Sequence, residues 1–118
     1  KSDHYTSSII SELLKNKLDN NSLNTVIQMV DNNISSDHYA STIYAKIAKN
    51  SNLTDNQLIK LMQSASSNIN SSHSLTRVLT SFATRVKRSS EKVKNAYRVA
   101  ARKISSDTYY GRVMKAIN

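Results

Sequence analysis

The stretch Ile34-Ser35-Ser36-Asp37-His38-Tyr39 occurs in three related copies along the chain, and this repeat decides the fold. It returns, 35 residues further on each time, as Ile69-Asn70-Ser71-Ser72-His73-Ser74 and as Ile104-Ser105-Ser106-Asp107-Thr108-Tyr109. A shortened copy, Ser2-Asp3-His4-Tyr5, stands near the start of the chain. A repeat of this length is one supersecondary unit, which buries its apolar surface by stacking on its neighbours. The repeat therefore predicts a stacked array.

The apolar residues that follow each motif have a helical spacing. They recur at i, i+1, i+4 and i+5, which places them on one buried face of a helix, and strand alternation fits none of these segments. The second half of each unit has an apolar stripe of its own, so each unit is predicted to be a pair of helices. The residues that we expect to be fully buried are Ile43, Ile47, Leu58, Leu61, Met62, Val78, Leu79 and Phe82. Helices are expected at about residues 3–16, 20–32, 36–49, 54–68, 71–87, 89–103 and 106–117.

Polar residues that favour helix starts stand where these helices are expected to begin. Their side chains can accept hydrogen bonds from the unpaired amides of a first helical turn. For the first helix of each unit the candidates are Asp3, Asp37, Ser72 and Asp107, or the serine just before each of them. For the second helices they are Asp19, Thr54 and Ser89.

The composition favours an all-α fold. The 118 residues include one glycine and no proline, so the turn residues that β-hairpins depend on are almost missing. There is no cysteine, which excludes disulfides, thiol catalysis and thiolate metal sites. No segment approaches the roughly 20 apolar residues of a membrane span, so we expect a soluble chain with no membrane span.

The units resemble the HEAT-like α-helical repeats, and in particular the bacterial variety whose units begin Ile-Ser-Ser-Asp-x-Tyr. The resemblance covers nearly the whole chain, although the third unit departs from the motif at Ser72 and Ser74. It implies an α-solenoid of about three and a half helix hairpins, with seven helices in one domain. The units are residues 1–33, 34–68, 69–103 and 104–118. The resemblance further implies a bacterial protein that acts as a protein-binding scaffold. The shortened first motif and the single helix of the last unit suggest a fragment of a longer protein, and the sequence does not distinguish the cell envelope from the cytoplasm.

The sequence offers little that suggests catalysis or metal binding. The three histidines, His4, His38 and His73, share one repeat position, and adjacent repeats are about 10 Å apart, whereas zinc ligands lie about 2 Å from the metal. No nucleophile elbow, glycine-rich phosphate loop or close pair of carboxylates is present. We therefore expect no enzyme activity, no catalytic residue, no metal and no cofactor. Most of the six tyrosines fall on or beside the apolar stripes and are expected to pack in the core rather than to form a base-stacking platform, with Tyr110 the least explained by core packing.

The positive charge is concentrated in the third unit. The net charge is +9, from 17 basic and 8 acidic residues, and the four units contribute −1, +1, +8 and +1 in chain order. At 100° per residue, the arginines of the third unit point away from the apolar faces of its two helices. The residues predicted to contact an anionic partner are Arg77, Arg88, Lys94, Arg98 and Arg102.

Two functions remain open at this level. The first is a non-enzymatic protein–protein interaction scaffold, whose partner is an acidic protein or a second copy bound through the exposed faces of the terminal repeats. The alternative is nucleic-acid binding, in which the same basic residues contact the phosphate backbone. Because the charge occupies one unit rather than several, the protein partner is favoured over nucleic acid.

Overall fold

The computed structural model describes residues 3–15, 19–49 and 53–118, and every regular element in these ranges is an α-helix. The described residues contain seven helices, as the apolar spacing predicts: α1 (Asp3–Leu13), α2 (Asn20–Asn33), α3 (Asp37–Ala48), α4 (Asp55–Asn68), α5 (Ser72–Lys87), α6 (Glu91–Ala101) and α7 (Asp107–Lys115). None of these helices is long and apolar enough to cross a bilayer.

The helix bounds differ from the prediction mainly at the ends of α1, α6 and α7. Helix α1 ends at Leu13, before Leu14 and Lys15, and the expected end, residue 16, lies outside the described residues; α7 ends at Lys115, two residues before the predicted end. Helix α6 ends at Ala101, two residues before the predicted end, because the amides of Arg102, Lys103 and Ile104 each bond to the carbonyl three residues back. This tighter pattern is typical of the last turn of a helix.

The serine of each repeat motif starts the first helix of its unit. The side chains of Ser36, Ser71 and Ser106 accept hydrogen bonds from the amides three residues further on, as expected for N-caps. Of the caps expected for the second helices, Asp19 and Thr54 are confirmed, and Thr54 forms a full capping box with its N3 glutamine. Ser89 is wrong as a cap.

Ser90 takes the N-cap position of α6 instead, without a side-chain cap hydrogen bond. The hydroxyl of Ser89 donates to the carbonyl of Arg85, four residues back, at 2.7 Å, and is thereby held on the end of α5. With two serines in succession, the preference for serine at N-caps does not indicate which one caps the helix.

The helices lie in two layers. In one layer the odd-numbered helices contact each other in order, α1 with α3, α3 with α5 and α5 with α7, and in the other α2 contacts α4 and α4 contacts α6. Within the units, α1 contacts α2, α3 contacts α4 and α5 contacts α6. The Cα radius of gyration is 13.3 Å and the principal extents are 36, 27 and 17 Å, as expected for a packed domain of this length.

The core lies between the two layers. All eight residues of the predicted central stripe are at most 1% exposed, so this prediction is confirmed. The largest fully buried side chains are Tyr44, Tyr97 and Phe82. Their aromatic area is a large part of the hydrophobic stabilisation of a chain that has one phenylalanine and no tryptophan.

The aspartates of the motif link neighbouring units. The carboxylate of Asp3 accepts hydrogen bonds from the amides of Ser35, at 3.3 Å, and Ser36, at 3.0 Å. Asp37 does the same one unit later, with the amides of Asn70 at 3.2 Å and Ser71 at 2.8 Å. Charge-assisted hydrogen bonds of this kind are stronger than neutral ones. Each carboxylate thus fixes the start of the next unit. There the serine whose amide it binds, Ser36 or Ser71, caps the first helix of that unit.

The third unit lacks this carboxylate link. At the equivalent position Ser72 contributes only a hydroxyl, which lies 3.5 Å from the hydroxyl of Ser105. Asp107, the equivalent residue of the fourth unit, is exposed and makes no hydrogen bond to the described residues. The junction between α5 and α7 therefore lacks the carboxylate–amide bonds that the two earlier junctions share.

Truncation of the central aromatic residue tests the packing. Phe82 is 1% exposed between the layers, so Phe82→Ala should lower the free energy of unfolding by about 3–5 kcal/mol, from lost burial and the cavity left behind. Urea denaturation at equilibrium measures the change. A loss below about 1 kcal/mol would contradict the helix register that buries this ring.

The aspartate link provides a second test. Asp37→Asn should destabilise the chain by about 1–2 kcal/mol, whereas Ser72→Asp should stabilise it by about 1 kcal/mol through a new carboxylate that reaches the amides of Ser105 and Ser106. Asp107→Asn is the matched control, because it removes the same charge from a helix start without breaking a link. Equal effects of Asp37→Asn and Asp107→Asn would show that the carboxylates act only on their own helices.

Candidate functional site

The five basic residues predicted as a binding surface lie on different parts of the fold. Arg77 belongs to α5, and its guanidinium reaches α3, where Nη1 lies 3.3 Å from Thr42 Oγ1 and 3.5 Å from Ser41 Oγ. Arg88 caps the end of α5 and donates from Nε to the carbonyl of Thr84 at 3.4 Å. Both residues lie in the odd-numbered layer.

The other three predicted residues share one face of α6, in the even-numbered layer. Lys94, Arg98 and Arg102 are spaced by four residues, which places them above one another on a helix. The guanidinium of Arg98 lies 3.2 Å from the carboxylate of Glu91, in an exposed pair. Such pairs contribute little to stability, so Arg98 is available to an anionic partner at small cost. Lys94 and Arg102 have no polar partner among the described residues.

Arg85, another basic residue of the third unit, is used within the fold. Its guanidinium lies 2.9 Å from the carboxylate of Asp55 and donates to the carbonyl of Leu53 at 3.1 Å. These bonds attach the end of α5 to the start of α4. The charge of Arg85 is therefore balanced inside the molecule, whereas Arg77, Lys87 and Arg88 on and after α5, like the basic residues of α6 other than Arg98, are not paired with a carboxylate of the described residues.

A groove runs between α4 and α6 beside this basic face. Its volume is about 230 Å³, and we call it the α4–α6 groove. Its lining residues are Ile59, Gln63, Ser66, Lys92, Asn95, Ala96, Val99 and Ala100. Val99 is 49% exposed, the largest exposed fraction of any described large apolar side chain outside α1. Val99 therefore gives the groove an apolar side chain that is open to solvent.

Two lysines mark the polar rim of the groove. Lys92, in the first half of α6, lines it directly, and Lys103, just beyond α6, donates from Nζ to the carbonyl of Ser66 on α4. The α4–α6 groove thus combines apolar side chains from both helices with ammonium groups at its edges. This arrangement can hold a short chain segment that has an apolar side chain between carboxylates.

Sequence reasoning missed the apolar part of this groove. Val99 lies outside the stripe that packs α6 into the core, and the equivalent residue of the second unit is the polar Ser64. In the first unit the equivalent residue is the apolar Met29, so the repeat alone does not mark Val99 as exposed. The other lining residues come from two helices 35 residues apart in sequence, and their proximity is visible only once α4 and α6 are paired.

A second groove, of about 450 Å³, lies between α1 and α3. It includes His4, His38, Glu12 and Lys46, a mixture of both charges. Within residues 3–15, 19–49 and 53–118, no group of three or more His, Asp or Glu side chains is placed to hold a metal ion. The imidazole of His38 instead packs edge-on against Tyr39, with ring centroids 5.6 Å apart.

The tyrosines do not form one platform. Tyr44 and Tyr97 are fully buried, and the hydroxyl of Tyr97 donates to the carbonyl of Val113 at 2.6 Å. The two most exposed rings, Tyr5 and Tyr110, belong to α1 and α7, the first and last helices of the odd-numbered layer. Successive bases therefore have no continuous row of aromatic faces to stack on.

A polar network joins α2, α3 and α4 and runs from the buried Tyr44 to Asp31 and Asn68 at the surface. The hydroxyl of Tyr44 is 2.8 Å from that of Ser64, and the amide of Asn68 donates to Asp31 at 2.6 Å. Burial raises the pKa of Tyr44 to about 12, against the effect of its hydrogen bond to Ser64. Burial also raises the pKa of Asp31 above its ordinary value. The network satisfies buried polar groups and does not open into either groove.

No protein-family model, curated protein or solved structure matches the chain, so the resemblance to HEAT-like repeats stays a prediction.

The raised pKa of Tyr44 predicts a loss of stability in alkali. The unfolded tyrosine ionises near its ordinary pKa of 10 and the folded one near 12, so stability is lost as the pH rises between these values. Between about pH 8 and about pH 11 the wild type should lose about 1 kcal/mol more than Tyr44→Phe in urea denaturation. Tyr110→Phe, at an exposed ring, should follow the wild type. Equal losses in wild type and Tyr44→Phe would contradict the assignment.

Proposed function

We propose that the chain is a non-enzymatic protein-interaction scaffold of the HEAT-like α-solenoid type, and that its α4–α6 groove binds an acidic segment of a partner protein. The observation that carries the proposal is the exposed side chain of Val99 in a groove edged by Lys92 and Lys103. Apolar contact gives such a site affinity, and the ammonium groups select carboxylates and speed the encounter.

The helix contacts support the solenoid part of the proposal. Each odd-numbered helix packs on the next odd-numbered helix, and each even-numbered helix on the next even-numbered one. The aspartate links recur once per unit, from Asp3 to the second unit and from Asp37 to the third. Stacks of helix hairpins present continuous surfaces along each layer, and proteins of this construction use those surfaces to hold partners.

The distribution of charge favours an acidic protein segment over nucleic acid. A partner that follows a phosphate backbone would meet positive charge mainly in the third unit, because residues 1–68 have no net charge. The α4–α6 groove has an apolar lining, which makes no favourable contact with phosphate groups. On the α6 side of the groove, Asn95 is the one lining residue whose side-chain amide could form hydrogen bonds to a base edge. A peptide with an apolar residue between acidic ones uses both the apolar lining and the lysines.

The binding test uses three fluorescent probes with the 118-residue chain. The first is a dodecapeptide of aspartate and glutamate with two central leucines, the second has alanines in place of the leucines, and the third is a single-stranded oligonucleotide. Fluorescence anisotropy should show binding of the first probe and about tenfold weaker binding of the second, because one well-buried leucine contributes at least that much.

Two substitutions separate the parts of the site. Val99→Ser and Lys92→Glu should each weaken binding of the leucine peptide by about tenfold. Lys49→Glu, the same charge change at an exposed residue outside the groove, is the matched control and should leave the affinity within about twofold.

The outcomes distinguish the two candidate functions. Tight binding of the oligonucleotide that weakens steeply with salt, is unaffected by Val99→Ser and is abolished by Arg98→Glu with Arg102→Glu would support the nucleic-acid alternative. Failure of the leucine peptide to bind at low salt would contradict the proposed groove.

A further inference from the structure

The groove of about 450 Å³ between α1 and α3, which we call the α1–α3 groove, lies on the outer surface of the odd-numbered layer. Its volume is within the range of small-molecule sites. The residues of α5 at the equivalent repeat positions include His73, Arg77 and Ser81, and all three are exposed although α5 contacts both α3 and α7. The face is therefore open in a unit that has neighbours in both directions.

An arginine of the third unit occupies the equivalent position between α3 and α5. Arg77 on α5 donates from Nη1 to Thr42 Oγ1 at 3.3 Å and to Ser41 Oγ at 3.5 Å, both on α3. One unit earlier, Ser8 and Ser7 on α1 take the places of Thr42 and Ser41, and Thr42 itself takes the place of Arg77. The side chain of threonine is too short to cross from α3 to α1. The α1–α3 groove thus keeps the two hydroxyls and lacks the guanidinium that would bond to them.

The hydroxyl of Ser8 is held in the same way as that of Thr42. Ser8 Oγ donates to the carbonyl of His4 at 3.0 Å, and Thr42 Oγ1 donates to the carbonyl of His38 at 2.9 Å. Because each proton is used by a carbonyl of the same helix, each oxygen is left free to accept a hydrogen bond. Thr42 accepts one from Arg77, whereas Ser8 has no donor among the described residues. Ser8 is therefore an oriented acceptor for a donor of the same kind.

The charged residues of the α1–α3 groove provide for both a cation and an anion. Glu12 lies one turn after Ser8 on the same face of α1, and it is paired with Lys15 at 2.9 Å in an exposed ion pair of the kind that contributes little. Its carboxylate can therefore bind a cation beside Ser8. Lys46 Nζ donates to the neutral Ser11 Oγ at 3.0 Å and is not paired with a carboxylate of the described residues. Its ammonium group can therefore bind an anion.

We infer that the α1–α3 groove binds a guanidino acid, a small molecule with a guanidinium group at one end and a carboxylate at the other. The guanidinium donates to Ser8 and Glu12, as that of Arg77 donates to Thr42, and the carboxylate accepts from Lys46. An arginine side chain of a protein would supply the first group and leave Lys46 without an anion. The site lies in the odd-numbered layer and is separate from the α4–α6 groove.

The test is a titration of the isotope-labelled 118-residue chain, followed by the NMR shifts of its backbone amides. The probes are L-arginine, citrulline, in which a neutral urea replaces the guanidinium, and agmatine, which lacks the carboxylate. L-arginine should shift the amides that line the α1–α3 groove with a Kd of about 1 mM, as expected for hydrogen bonds and ion pairs in an open groove. Citrulline and agmatine should each bind about tenfold more weakly, because each lacks one charged group.

Two substitutions separate the two ends of the site. Ser8→Ala removes the acceptor and should weaken binding of L-arginine by about fivefold. Lys46→Gln should weaken binding of L-arginine by about tenfold and leave that of agmatine within about twofold, because agmatine has no carboxylate for Lys46 to bind.

A third substitution fills the groove with an arginine of the chain itself. Thr42→Arg introduces the residue that the third and fourth units have at this position, Arg77 and Arg112, and its guanidinium should bond to Ser8 and abolish binding of L-arginine. Thr25→Arg on α2 is the matched control. Thr25 is also bonded to the carbonyl four residues back but lies outside the groove, so this variant should bind like the wild type. Circular dichroism checks that both variants keep their helix content.

Several results would overturn the inference. One is the absence of shifts in the groove at about 20 mM L-arginine, and another is a spread of shifts over the whole surface. Equal binding of citrulline would exclude recognition of the guanidinium, and equal binding of agmatine would assign the groove to an arginine side chain instead. If Thr42→Arg fails to fold, Ser8→Ala and Lys46→Gln decide, and an unchanged affinity in both would contradict the site.

Discussion

The structure depends on one contact, the burial of an apolar helix face by the helix two positions further along the chain. A single hairpin of this sequence has too little apolar surface to bury on its own, so each unit is stable only against its neighbours. Three features of the sequence favour this contact. They are the spacing of the apolar residues, the position of the capping serines and the placement of the linking aspartates. The even-numbered helices close the other side of the core and carry the surface on which the proposed function rests.

Much of the fold could be predicted from the sequence because the period is strict. The buried faces of Ile43, Leu58 and Phe82 follow from local spacing, which helix geometry converts directly into a side of the helix. The role of Asp37 could not be read in this way. Its carboxylate bonds to amides 33 and 34 residues away, and sequence reasoning assigns an aspartate at a helix start to the nearest unpaired amides.

The candidate site was less predictable for a similar reason. Charge counting locates the basic unit, but it does not say which arginines are held by neighbours. Arg85 is paired with Asp55, and Arg77 reaches across to hydroxyl groups of α3, so the basic residues of the third unit differ in how freely they can meet a partner. The apolar side of the α4–α6 groove depends on how the two helices pack together. The sequence around Val99 does not indicate whether its side chain is exposed or buried.

The serine at position 72 affects how helix α7 is attached to the rest of the fold. Where Asp3 and Asp37 each bind two backbone amides of the next unit, Ser72 offers a single long contact between hydroxyls. Helix α7 is therefore attached to the rest of the fold without a carboxylate from the preceding unit. Its attachment depends on apolar burial, for example of Val113, and on the hydrogen bond that the hydroxyl of Tyr97 donates to the carbonyl of Val113.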